Sequence, residues 1–247
     1  MDLSQRKAWN EQHKVLTNMM ARPEEHEAAI ELFMKQHGRL HSSGVDATVD
    51  LNYEDLLLAD MQESTFRTYP TQTTGTANSI AWHMWHCTRI EDITLSILVA
   101  DSDQVMMEGK WLSALHIPFV DTGNGMKMKE VGELSAALDM GSLFHYRQAV
   151  GKRTRDIVAV MSPQLLRQKV KAARLQRIRD EQALMADGEW LLDYWKNKKL
   201  VGLLLGPATR HNFIHLNKSM RIKNQLQKKG RTTKKKREAQ LEGQVVK

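Results

Sequence analysis

The chain carries a single cysteine, Cys87, among its 247 residues, so no intrachain disulfide can form and nothing points to an oxidising compartment. It also lacks any run close to the ~20 apolar residues that a membrane-crossing helix needs. Its opening stretch, residues 1–14, is polar and mixed in charge, with no apolar signal-peptide core. A cytoplasmic location without a membrane partner is the expectation. Strand-like alternation and internal repeats are missing as well, which leaves helix as the main element. A general charge excess is absent too, although the net charge is +7. Residues 221–247 hold ten Lys/Arg against two Glu, which leaves residues 1–220 at −1. That last segment is poor in apolar residues and is predicted to be a loose basic tail beyond the end of the last helix. It would aid solubility, and would bind nucleic acid only weakly, through non-specific charge neutralisation.

What the chain does have is helical periodicity over most of its length, enough for one large domain with a substantial core. Ile30, Phe33, Met34, His37 and Leu40 recur at three- and four-residue spacing over 24–41, after Pro23. Shorter helices are predicted near Tyr53–Met61 and Lys129–Leu138, and longer ones over 77–100 and 142–161, the latter stopped by Ser162-Pro163. Residues 62–76 and 101–126, with Pro70, Gly75, Gly109, Pro118, Gly123 and Gly125, read as long loops. Residues 164–184 are helical in tendency, and Trp190, Leu191, Tyr194 and Trp195 mark another helix. Pro207 is placed as the first residue of the last one. The prediction is an all-α, four-helix bundle with additional short helices and long loops, spanning 1–220, followed by the basic segment 221–247.

Candidate chemistry rests on histidine, of which there are ten. With His86 set at zero and ~100° per residue, Ser79, Trp82, Ile90, Ile93 and Ile97 fall within about 40° of it. His86 therefore projects from the stripe that faces the core, with His83 on one shoulder and Arg89 on the other. A buried imidazole needs a partner at each nitrogen, and leaving one unpaired costs ~1–3 kcal/mol. A metal at one nitrogen and a hydrogen bond at the other meets that need. In the last helix, His211 and His215 stand at i and i+4, the spacing by which one helix supplies two imidazoles to one ion. His37 and His41 repeat the spacing on the first periodic helix and are expected to be partly buried, near the mouth of any site. Cys87 reads as a small buried thiol, and Glu91-Asp92 beside Arg89 as a salt-bridged structural patch. His145 reads as a core or surface residue, and His13, His26 and His116 have no supporting spacing.

The segment Ser79-Ile80-Ala81-Trp82-His83-Met84-Trp85-His86 and the later Arg210-His211-Asn212-Phe213-Ile214-His215 together resemble the DinB-like (YfiT-like) metalloprotein superfamily. Ser79 and His86 match a small or hydroxylated residue followed seven positions on by histidine, and His211 and His215 match a His-x-x-x-His on the last helix. The resemblance covers roughly residues 24–226 in helix order, while its specific motifs occupy only these two helices. It implies a four-helix bundle in which His86, His211 and His215 bind a divalent metal and leave open positions. Imidazole suits Zn²⁺, Ni²⁺, Fe²⁺ or Cu²⁺ without choosing among them. By the same resemblance the chain would be a metal-dependent transferase or hydrolase acting on a small-molecule substrate, with a low-molecular-weight thiol as one candidate, and a homodimer is compatible with it. The alternative is a non-catalytic metal-binding or stress-response bundle. His83 departs from the family pattern, which has an apolar residue there; it would be a substitute ligand, a group behind a ligand or, as the favoured expectation, a partly exposed neighbour.

Overall fold

The computed structural model describes the backbone of residues 1–245 and the side chains of residues 1–228. The fold is all-α, and among the described residues the only extended pairings are two isolated bridges, Thr73 with Thr76 and Lys169 with Lys199. Five helices carry the architecture: α1 (Leu3–Met19), α2 (His26–Leu40), α3 (Ile80–Asp92), α4 (Met140–Ala159) and α5 (Asn212–Val245). The segment expected to be a loose tail, residues 221–247, is helical in its backbone as far as Val245, and its side chains beyond 228 lie outside the described residues. Among the described residues, no helix is long and apolar enough to cross a membrane.

The first of these, α1, has no counterpart in the sequence prediction. Its apolar anchors Trp9 and Leu16 are two turns apart among polar residues, so the periodic signal is thin. It is held by its cap, by the buried Leu16, by an aromatic contact, and by side-chain bonds such as Arg39 to Gln12 at 2.9 Å. Asp2 accepts from the Gln5 amide at 2.8 Å while the Gln5 side chain accepts from the Asp2 amide at 2.9 Å, a reciprocal capping box. Trp9 then stacks on Phe213 of α5, with ring centroids 3.8 Å apart and planes 9° apart. Asp2→Ala is expected to lower unfolding free energy by ~1 kcal/mol. A urea titration checks this, and an unchanged midpoint would show that the cap contributes nothing to holding α1.

Helix α3 occupies the centre: all thirteen of its residues are buried, and it packs against both α4 and α5. Helix α2 packs on α4, and α1 lies on α2. Ser79 caps α3, its hydroxyl accepting from the Trp82 amide at 3.0 Å. The sequence expectation of one helix to Ala100 is met by a change of winding, because Ile93–Ala100 is π-helical and stops at Asp101 in the left-handed region. Six of the thirteen buried residues, His83, His86, Thr88, Arg89, Glu91 and Asp92, are polar. Such groups are tolerated inside only when hydrogen-bonded. Arg89 donates to Asp92 at 3.0 Å and to the Tyr146 hydroxyl at 2.7 Å, and Asp92 accepts from the Val105 and Met106 amides at 2.9 Å each. The expected Arg89–Asp92 patch is therefore present, but Glu91 turns away from it towards α2.

Pro207 does not open the last helix. A short helix, Leu200–Leu205, leads into a π-helical turn, Gly206–His211, and α5 starts at Asn212. Proline has no N–H to continue an α-helical ladder, and the wider turn absorbs it: the Asn212 side chain donates to the Pro207 carbonyl at 3.0 Å. Turns of this kind are rare and re-aim the residues at their ends. Here the residue at the end is His211.

Candidate metal centre

Two helices bring the three predicted histidines together. His86 comes from α3, His211 from the π turn before α5, and His215 from the first turn and a half of α5. Their candidate ligand atoms lie within 4.8 Å of one another, with no carboxylate or cysteine in the group. His86 and His215 are buried at 3% and 6% exposure, while His211 is half-buried and forms the open side.

The tautomer of His86 follows from its neighbour. Its Nδ1 sits at hydrogen-bond distance from the Thr122 carbonyl, which can only accept, so Nδ1 carries the proton and Nε2 the lone pair. That Nε2 faces His211 Nε2 at 3.2 Å. Two imidazole nitrogens bound tetrahedrally to one ion at ~2.05 Å would be about 3.3 Å apart. The Thr122 carbonyl reaches His86 because the next residue is Gly123. Its φ of +75° and a Cβ that would lie 2.5 Å from Trp85 Cζ3 both exclude any larger residue there. Trp82 closes the remaining side, stacked on His86 with centroids 4.5 Å apart and planes at 9°.

His83 corrects an expectation. Far from being partly exposed, it is 1% exposed and bonded on both nitrogens: Nδ1 lies 3.0 Å from His215 Nδ1, and Nε2 lies 2.9 Å from the Thr76 hydroxyl. It holds the His215 ring by Nδ1, so Nε2 is the nitrogen His215 would offer an ion. His211 Nδ1 has no hydrogen-bond partner among the described residues. Burial lowers the basicity of all four rings, with the nearby Lys218 ammonium adding to it. His86 is pushed down to about 4, His83 to about 3, and His211 and His215 well below the ordinary imidazole value. All four are neutral at pH 7, the form in which imidazole offers a lone pair.

The remaining sequence candidates divide. His37 and His41, expected to be partly buried near a mouth, are instead wholly buried, together with Glu91, in a second group whose ligand-type atoms also lie within 4.8 Å of one another. Cys87 is a buried thiol pushed up to about 11, chiefly by desolvation, and is no nucleophile at neutral pH. His145 is exposed, and His13 and His26 bond to the Leu205 and Met161 carbonyls at 3.1 and 2.9 Å. Sequence reasoning missed Thr122 and Thr76, because the loops that carry them show no periodicity; the Thr122-Gly123-Asn124-Gly125 stretch was their one local signal. It also missed Arg147, a buried arginine that no motif marks. Compared with known proteins, the chain matches no protein-family model and no curated protein.

Proposed function

We propose that the chain is a metal-dependent enzyme of the DinB-like four-helix-bundle type, a thiol-dependent transferase or a hydrolase, with a divalent ion held by His86, His211 and His215. The observation that carries this is the convergence of three buried or half-buried imidazoles, with His86 Nε2 3.2 Å from His211 Nε2, a spacing that two nitrogens on one ion would also have. A divalent ion on three neutral imidazoles supplies Lewis acidity towards water, a thiol or a carbonyl. Thr122 orients His86, and the Thr76–His83 pair orients His215. Trp82 keeps water from the His86 face, and half-buried His211 marks the side from which a small substrate would enter.

The non-catalytic reading is favoured by one feature, the absence of any carboxylate in the trio to act as general base. Both readings share the ion and part at its removal. In the enzyme reading, His211→Ala and His215→Ala each lose one equivalent of bound divalent metal per chain by elemental analysis, and chelation of that equivalent abolishes turnover with only a modest change in melting temperature. In the non-catalytic reading the same chelation unfolds the protein. Retention of full metal content by both variants would refute the site itself.

A further inference from the structure

A second set of ligand-type side chains is closed inside the bundle. His37 and His41 lie at i and i+4 on α2, and Glu91 faces them from α3; all three side chains are 0% exposed. His37 Nε2 is 2.7 Å from Glu91 Oε1 and His41 Nε2 is 3.2 Å from Glu91 Oε2. The first contact is a well-aligned hydrogen bond. The second is not: neither ring nitrogen of His41 has a hydrogen-bond partner among the described residues, and His37 Nδ1 lacks one as well. With His37 Nε2–H spent on Glu91, these three buried nitrogens amount to two lone pairs and one N–H without a partner, a cost to the fold unless something engages them.

The surroundings are shaped for this ring. On α4, a Cβ at Gly151 would stand 2.8 Å from His41 Nδ1 and 3.0 Å from its Cε1, so position 151 is kept bare where His41 lies. The charge balance points the same way. Besides His37, Glu91 accepts from the Thr154 hydroxyl at 2.8 Å and the Asn212 amide at 2.7 Å, both neutral. The nearby Arg147 guanidinium is spent elsewhere, on Glu54, Asn212, Thr88 and the Leu40 carbonyl. A buried carboxylate without a cation of its own calls for one. Two imidazoles one helical turn apart and a carboxylate from a facing helix form a donor set that suits a borderline-soft divalent ion.

We propose that His37, His41 and Glu91 hold a second divalent transition-metal ion, of the Zn²⁺ class, which pins α2 to α3. Enclosed on every side, this ion is taken up as the chain folds and is released slowly, in contrast to the ion on the half-buried His211 side. The two sites share no ligand, although Asn212, beside His211, bonds Glu91 at 2.7 Å, so each variant is read on both equivalents.

The experiment is to refold the full-length chain in Zn²⁺ alone, remove excess metal, and count bound zinc by elemental analysis and by release to a chromogenic chelator. Wild type is expected to hold two equivalents, one released quickly and one slowly. Glu91→Gln and His41→Ala should each lose the slow equivalent and keep the fast one, and His211→Ala should do the reverse. A single equivalent in wild type that survives Glu91→Gln and His41→Ala but not His211→Ala would overturn the inference and leave the His86 site standing. The opposite pattern would overturn the His86 site and leave this one. Should the variants fail to fold, the wild-type count decides alone, because one fast equivalent without a slow one overturns the proposal.

Discussion

Arg147→Met is expected to cost the fold about 3–5 kcal/mol, a large share of the ~5–15 kcal/mol that holds a domain together. The guanidinium is 0% exposed and joins four parts of the molecule. From α4 its Nε donates to Glu54 at 2.6 Å, in the short helix Tyr53–Leu58, and its Nη2 donates to the Leu40 carbonyl at the end of α2 at 3.0 Å. Its Nη1 donates to Asn212 at 2.8 Å and to the Thr88 hydroxyl at 3.2 Å, on α5 and α3. Methionine fills much of the same volume, so cavity formation is a minor part of the loss. The cost arises because Glu54, 1% exposed and pushed up to about 7 by burial even beside Arg147, must take up a proton once its counter-charge is gone. In addition, the three further acceptors are left without their donor, and Asn212 loses the contact that orients its amide towards Glu91. A urea or guanidinium titration measures the loss. The double variant Arg147→Met, Glu54→Met should recover part of it, since removing both partners is gentler than stranding one. Arg147→Met within 1 kcal/mol of wild type would mean that Glu54 is neutral in the fold.

The residues of the two histidine groups show which features could be read from the chain alone. His86 could be placed by arithmetic, because a helix turns ~100° per residue and the isoleucines around it define the buried stripe. The same arithmetic puts Glu91 ~140° away, towards either a neighbouring helix or solvent, and in the structure it lies against α2. What could not be read is which helix that neighbour would be. His37 and His41 share a face by spacing, yet nothing local tells that this face meets Glu91 across 50 residues of intervening chain, most of it loop and short helix. His83 fails for a similar reason. On the shoulder of the stripe it reads as half-exposed, and it is the loop residue Thr76 together with His215 that covers it. Thr122 contributes a backbone carbonyl, for which any side chain would serve; the residue that matters to its placement is Gly123, and one glycine among fourteen is a weak mark. Helix α1 was invisible for want of apolar residues, and α5 was displaced by five residues because Pro207 is accommodated by a π turn instead of starting the helix.

The metal-free protein is expected to lose stability steeply between pH 7 and pH 5, a window in which, of its carboxyls, Glu54, pushed up to about 7 by burial, also takes up a proton. Desolvation holds the folded His86 near 4 and His83 near 3, and His211 and His215 lie lower than usual as well, whereas an unfolded imidazole titrates at about 6.5. In the window between those values the unfolded chain binds protons that the folded one refuses. The stability these rings contribute is thus fully present above about 6.5 and is lost as the pH falls below it, by about 1.4 kcal/mol per unit for each ring that stays neutral in the fold. From 6.5 to 5 that is about 2 kcal/mol per histidine. His41, pushed down to about 3 by burial, adds to the same slope, and because the rings interact the total is several kcal/mol and less than the plain sum. The measurement is the chemical-denaturation midpoint of chelator-treated protein at half-unit steps from pH 7.5 to 5; a flat profile would sink the claim that the rings are buried and neutral. His83→Phe should flatten the profile by one ring's share. Zn²⁺ should raise stability at pH 7.5 and leave little of that gain at pH 5, because the same protons that destabilise the empty fold compete with the ion for the same lone pairs. A metal gain that is independent of pH would place the ion on groups other than histidine.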